Sequence, residues 1–169
     1  MIFMLPGIKI IDLKKNPDER GSFTEIMRED WKDLLGEDKP VQSNFSITFP
    51  DIVKAWHRHV RGQVDYYVVL KGTIKVCAFD EMTGELTEHV LSGDKMQIMR
   101  VPGHYWHGLK TIGEPSMMIY FVTKLYDYQS PDEGRKPWDD KTVVPKTING
   151  KATDPRVGKP WDWFASPHK

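Results

Sequence analysis

Between residues 8 and 123 the chain reads as a succession of short strand-like segments broken by turns. Candidate strands cover 8–13, 22–28, 42–49, 54–59, 64–70, 73–80, 86–91, 96–101, 105–110 and 116–123. The breaks carry turn residues, at Lys71-Gly72, Asp80 to Gly84, Ser92-Gly93-Asp94, Pro102-Gly103 and Gly113 to Pro115. Strands at this spacing, with no long helical period between them, predict an all-β sandwich or barrel and not a parallel α/β sheet. One short helix fits 29–36, closed by Gly36. No internal repeat stands out. At 169 residues a single domain accounts for the chain and can bury a full core.

From Gln129 the character changes. Pro131, Pro137, Pro145, Pro155, Pro160 and Pro167 argue against regular sheet or long helix. The same stretch holds Trp138, Trp161 and Trp163, and disordered tails are poor in aromatics. The expectation is an irregular C-terminal tail, 129–169, that wraps a core of about 5–128 and buries some of those rings.

Lys plus Arg is 24 and Asp plus Glu is 24, so nothing in the charge balance favours nucleic acid or an anionic membrane surface. The one cysteine, Cys77, excludes an intrachain disulfide and reads as a small buried hydrophobe on a strand. The apolar run Met1-Ile2-Phe3-Met4-Leu5 stops at Pro6-Gly7, too short for a signal-peptide core, and no long apolar stretch follows. A cytoplasmic protein without a membrane partner is expected.

Chemistry concentrates in Trp56-His57-Arg58-His59, Asp65 and Val101-Pro102-Gly103-His104-Tyr105-Trp106-His107. Residues two apart on a strand share a side, so His57 and His59 aim two imidazoles into one space. A strand carrying His107 could lie across it. Such a pocket holds either a metal ion or a proton-transfer site.

His-x-His, then an acid, then Pro-Gly and a further His resembles the two motifs of the cupin superfamily, over roughly residues 54–110. The resemblance implies a double-sheet jelly roll, making residues 1–169 a single cupin-like domain. In metal-binding cupins the equivalents of His57, His59, Asp65 and His107 ligate one divalent transition metal, and such donors suit iron, manganese, zinc, nickel or copper.

A longer resemblance, over about residues 5–140, is to the dTDP-4-dehydrorhamnose 3,5-epimerase family, whose members are themselves cupins. Its carriers are Asp18-Glu19-Arg20-Gly21-Ser22-Phe23-Thr24-Glu25, Gln42-Ser43-Asn44-Phe45-Ser46, the segment 101–109, and Tyr120 thirteen residues after His107. The stretches Tyr126-Asp127-Tyr128-Gln129-Ser130-Pro131-Asp132-Glu133 and Trp138-Asp139-Asp140 complete it. The resemblance implies a homodimeric enzyme, with no cofactor, that acts on a nucleotide-linked 4-keto-6-deoxy sugar. A base removes a proton next to the ketone and an acid returns one from the other face. By this match His57 is the base, a residue type whose pKa suits the task, and Tyr120 is the acid. His107 binds near the sugar ketone. Lys54 replaces an Arg at the diphosphate, keeping charge but losing the two-pronged geometry. Arg20 and Glu25 bind nucleotide from the partner subunit, and Gln42, Asn44 and Glu133 belong to the substrate-binding set. Tyr126 or Tyr128 stacks on the base.

Three departures stand against this match. Asp65 occupies the place of a family lysine whose ammonium lies beside the developing enolate. A unit charge about 4 Å away is worth roughly 4 kcal/mol at an effective dielectric near 20, so reversing its sign opposes the reaction. His59 stands where the family has Gln. The C-terminal segment that supplies an aspartate to orient the base is missing, with Asp154 and Asp162 as substitutes that nothing selects. The first two departures rebuild the metal pattern within an epimerase-like frame, and a metal-bound His57 could not also be the base. Three functions therefore remain open: an epimerase of nucleotide-linked keto sugars, a metal-dependent cupin enzyme, and a non-catalytic sugar-nucleotide binding protein.

Overall fold

The computed structural model describes residues 3–167; Met1 and Ile2 of the N-terminal apolar run lie outside the described residues. The elements run β1 (Lys9–Asp12), β2 (Lys15–Asp18), β3 (Gly21–Thr24), α1 (Lys32–Leu35), β4 (Gln42–Thr48), β5 (Val53–Arg58), β6 (Val64–Phe79), β7 (Glu85–Ser92), β8 (Gln97–Pro102), β9 (Trp106–Val122), β10 (Gly134–Arg135) and β11 (Thr147–Ile148).

Two of these strands, β6 and β9, are long enough to serve two sheets. The first half of β6 lies between β8 and the second half of β9, with β1 and β4 outside them. The second half of β6 lies between β7 and the first half of β9, with β11 beyond β7, and β5 and β10 beyond β9. The result is a double-sheet β fold with antiparallel pairing except at β11, the jelly roll expected from the sequence.

The turns expected at Lys71-Gly72 and Gly113 to Pro115 are not strand ends. They are the crease where both long strands pass from one sheet to the other. Lys71 pairs with Met117 but Thr73 pairs with Ile112, so the register jumps there. A bulge shifts the two-residue side-chain period by one. On β6 the residues facing the gap between the sheets are Tyr67 and Val69 before the crease, and Ile74, Val76 and Ala78 after it. On β9 they are Leu109 before and Met118 after. Gly72 sits at the crease with φ +80°, and a Cβ there would lie 2.7 Å from the Pro115 carbonyl oxygen. Only glycine fits that approach.

Three apolar clusters follow. One fills the space between the sheets. A second covers the outer face of the first sheet, where Leu34 and Leu35 of α1 pack on Tyr66, Val68 and Ile98. The third lies on the outer face of the second sheet, where the tail brings Val143, Ile148, Trp161 and Trp163 against Trp56, Cys77 and Phe79. The tail thus wraps the fold and buries two of its three tryptophans, while Trp138 stays 45% exposed. It also holds the short β10 and β11, which its proline content hid. Cys77 is fully buried, as expected.

Other differences are local. The helix is one turn and ends at Gly36. The strand expected over 22–28 ends at Thr24 and forms a hairpin with β2 that pairs with nothing else among the described residues. β2 escaped sequence reading because Pro17 lies in it, a residue tolerated there because the hairpin is exposed and two-stranded. No helix among the described residues is long and apolar enough to cross a membrane.

Candidate functional site

A cavity of about 440 Å³ opens between the two sheets. Its walls come from different strands. The second sheet supplies His57 on β5 and, just past the end of that strand, His59. His107, directly paired with His57 across β5 and β9, is fully buried behind them. The first sheet supplies Asp65 and Tyr67 on β6, Tyr120 on β9 and Asn44 on β4. Tyr120 is the register partner of both Asn44 and Tyr67, which places the three side by side.

The three imidazoles converge as the His-x-His spacing predicts. Ring centroids are 4.3 Å apart for His57 and His107, 5.4 Å for His59 and His107, and 5.9 Å for His57 and His59. One ring nitrogen from each lies within 4.8 Å of the others. Asp65 adjoins two of them, its Oδ2 lying 3.4 Å from His107 Nε2 and 3.7 Å from His59 Nε2.

Backbone carbonyls decide how two of the rings are turned. His59 Nδ1 lies 2.6 Å from the Asp132 carbonyl oxygen, and His107 Nδ1 lies 2.8 Å from that of Tyr105. A carbonyl only accepts, so each Nδ1 carries the hydrogen and each Nε2 faces Asp65. When neutral, these are two lone pairs aimed at a carboxylate. His107 Nε2 is buried and has no hydrogen-bond partner among the described residues. The arrangement is satisfied by one added positive charge, a proton or a metal ion. His57 differs, because its ring has no hydrogen-bond partner among the described residues.

Electrostatics follow from this packing. Burial, then the neighbouring His107, holds the His57 pKa well below its ordinary value, with Asp65 opposing. Burial also disfavours charge on His59, but the Asp65 carboxylate and the Asp132 carbonyl together outweigh it and raise its pKa. Burial disfavours ionised Asp65 as well, yet His107 and His59 hold its carboxyl far below the usual range. Gln63 Nε2 donates to Asp65 Oδ1 at 2.7 Å, and the Tyr67 hydroxyl donates to Oδ2 at 3.0 Å. Tyr120 is pushed up by burial, then by Asp65 and Glu133, so it keeps its proton.

At the cavity mouth lie Lys54, Gln42, Tyr126 and Glu133. Gln42 Nε2 donates to Asn44 Oδ1 at 3.0 Å, and its Oε1 accepts the Tyr126 amide. Tyr128 does not line the cavity; it is exposed, with its ring centroid 5.0 Å from that of Tyr126. Arg20 and Glu25 also lie outside the lining, Arg20 paired with Asp18 and Glu25 with Arg28. Neither Asp154 nor Asp162 lines the cavity. Asp154 pairs with Arg156, which reaches Glu88 at 2.6 Å and fastens the tail.

Sequence reading missed Gln63 and Tyr67, although both lie two residues from Asp65 and so share its side of the chain. It also missed Arg61, Lys124 and Asp132 in the lining. Asp132 lies in the stretch 126–133 that carries the resemblance, but its contacts cross about seventy residues of chain, so no local signal shows what it holds.

A pocket of imidazoles, tyrosines and a carboxylate thus lies between the sheets of a cupin-like jelly roll. The polysaccharide biosynthesis C-terminal domain family matches residues 16–133. A probable low-salt glycan biosynthesis epimerase, Agl13 of Haloferax volcanii, is 44% identical over 78% of this chain and 87% of that protein. The spore coat polysaccharide biosynthesis protein SpsL of Bacillus subtilis is 34% identical over 83% of this chain and 94% of that protein. The dTDP-6-deoxy-D-glucose-3,5-epimerase RmlC of Legionella pneumophila, solved with dTDP-4-keto-L-rhamnose, superposes with a TM-score of 0.74 at 26% identity, over 84% of this chain and 79% of that one. The chain belongs to the polysaccharide biosynthesis C-terminal domain family.

Proposed function

We propose that the protein epimerises a nucleotide-linked 4-keto-6-deoxy sugar by proton transfer next to the ketone, in polysaccharide or deoxysugar biosynthesis. The observation that carries this is the placement of His57 and Tyr120 on opposing sheets of one cavity. Inversion needs a base on one face of the sugar ring and an acid on the other. His57 is held neutral, as a base must be, and Tyr120 is held protonated, as an acid must be. The base takes the proton on carbon, the electron pair moves into the ketone as an enolate, and the tyrosine hydroxyl returns a proton from the far side. Lys54 sits at the mouth, where a diphosphate would meet it, and Tyr126 offers a ring for the nucleobase. The test is incubation with dTDP-4-keto-L-rhamnose in deuterated water. Deuterium should enter next to the ketone, fail to enter with His57→Asn, and enter without inversion with Tyr120→Phe. No exchange with any nucleotide-linked 4-keto sugar removes the reading.

The orphaned Nε2 of His107 favours a second reading of the same pocket. Three imidazoles beside a carboxylate fit a divalent transition metal, which His57, His59 and His107 would hold with Asp65 alongside. A bound ion would supply Lewis acidity and the positive charge that the absent lysine leaves wanting. His57 would then be a ligand, not the base. Elemental analysis of protein purified without chelator separates the two: less than roughly a tenth of an equivalent of metal excludes an ion at this site.

The same reading makes the protein a cytoplasmic homodimer. Among the described residues strand β4 pairs only with β9, and its outer face carries the exposed Phe45 and Ile47, followed by Phe49. The β2–β3 hairpin, with exposed Phe23 and Arg20, has no partner sheet among the described residues. Isolated two-stranded hairpins are marginal alone. A second copy would cover both and bring Arg20 and Glu25 to a cavity they do not reach in their own chain. Light scattering should give twice the chain mass, and a fully active monomer would contradict the dimer.

A further inference from the structure

We infer that Asp132, to which neither the motifs nor the comparisons give a role, is a positioning residue that sets the orientation of His59. The inference rests on the pocket described above but not on the reaction assigned to it. Two parts of one residue act together. The Asp132 carbonyl oxygen takes the hydrogen of His59 Nδ1 at 2.6 Å. Its carboxylate takes the next two backbone amides, Val60 to Oδ1 at 2.9 Å and Arg61 to Oδ2 at 2.8 Å. Arg61 closes the clasp by donating to the Ser130 carbonyl at 2.7 Å and to the Ser130 hydroxyl at 3.0 Å.

The clasp is needed because of where His59 stands. β5 ends at Arg58 and β10 pairs back onto it only from Gly134, so the His59 backbone is held by its N–H to the Gly103 carbonyl at 2.7 Å while the rotation of its ring is left to other contacts. Residues 130–132 therefore bridge a gap between two regular elements. A carbonyl in such a segment holds its position only if the segment is tied down, and the two amide bonds to the Asp132 carboxylate tie it together with the Arg61 contacts to Ser130. Fixing the hydrogen on Nδ1 turns the His59 Nε2 lone pair toward Asp65 and His107, the geometry that either a proton or a metal ion requires. Backbone and carboxylate partners fix histidine tautomers in this manner generally.

The test uses the full chain with its histidines labelled with ¹⁵N, in chelator and at a pH where the rings are neutral. Long-range ¹H–¹⁵N correlation distinguishes hydrogen on Nδ1 from hydrogen on Nε2, and His59→Gln identifies the His59 signals. Wild-type protein should show His59 with hydrogen on Nδ1 alone. Asp132→Ala should show a mixture of the two tautomers, and Asp132→Asn, which keeps one acceptor oxygen, an intermediate state. Melting curves establish that each variant is folded, and Asp132→Asn carries the test if the alanine variant is not. In the deuterium-exchange assay kcat should fall about tenfold with KM within about threefold, as expected for lost orientation rather than lost binding. A His59 tautomer in folded Asp132→Ala identical to wild type overturns the inference. A tautomer shift in a protein that exchanges no keto sugar upholds it and removes the epimerase reading instead.

Discussion

Replacing Asp65 by Asn removes one charge from the centre of the pocket and changes almost no volume. In the wild type the carboxylate accepts from Gln63 and Tyr67 and faces His59 and His107. At the 3.7 Å separation from His59, Coulomb attraction at an effective dielectric near 20 sets a ceiling of about 4 kcal/mol. A charge-assisted pair typically nets about 1.5–3 kcal/mol. The sign with pH follows from the two shifts. The Asp65 carboxyl is lowered on folding, so its contribution is present above the unfolded carboxyl pKa and lost as pH falls. The His59 imidazolium is favoured on folding, so its contribution is complete below the unfolded imidazole pKa and lost as pH rises through the folded one. The pair therefore stabilises most between about pH 4.5 and 6.5. In chelator-treated protein at pH 5.5, Asp65→Asn should melt below wild type by roughly 3–12 °C, taking about 2–4 °C per kcal/mol at this size. At pH 8.5 the gap should narrow, and NMR titration should find the His59 midpoint lowered in the variant. A melting gap equal or larger at pH 8.5 would refute the charge pairing.

Gly72→Ala combines a left-handed backbone with a Cβ 2.7 Å from the Pro115 carbonyl oxygen and 3.0 Å from the Ser116 Cα. Both neighbours are backbone, so it should cost about 2–5 kcal/mol in urea unfolding, and unchanged stability would contradict the crease. Trp163→Ala empties a site where the ring is 1% exposed and 5.0 Å from Trp56. It should cost about 3–5 kcal/mol by the same assay, whereas a tail that merely lies on the surface predicts almost none. Lys54→Met should raise KM roughly tenfold through a lost charge-assisted contact of about 1.5 kcal/mol while kcat changes little. Lys54→Arg should restore binding through its forked donor geometry, and an unchanged KM in the Met variant would remove Lys54 from the diphosphate site.

Much of the architecture was legible because strand periodicity and turn residues are local signals. His57, His59 and Asp65 lie within nine residues, and the turn chemistry before His107 marked the strand that pairs with them. A local signal misleads where it has two physical outcomes. Gly72 and Pro115 usually end strands, but here they bend two of them, and only the long-range pairing of β6 with β9 distinguishes these outcomes. The same limit hid Asp132, whose partners lie about seventy residues away. Arg20 and Glu25 are a different case: their motif is plain in the sequence, but one chain alone does not bring them to the cavity.

The crease also fixes the gauge of the pocket. Because β6 and β9 each run unbroken through both walls, neither wall can travel outward as a separate rigid leaf. The spacing between the histidine wall and the tyrosine wall is thus written into chain connectivity, and ligand size can be accommodated chiefly at the rim. Relatives that handle bulkier sugars should differ around Tyr126 to Glu133 before they differ at the fold line.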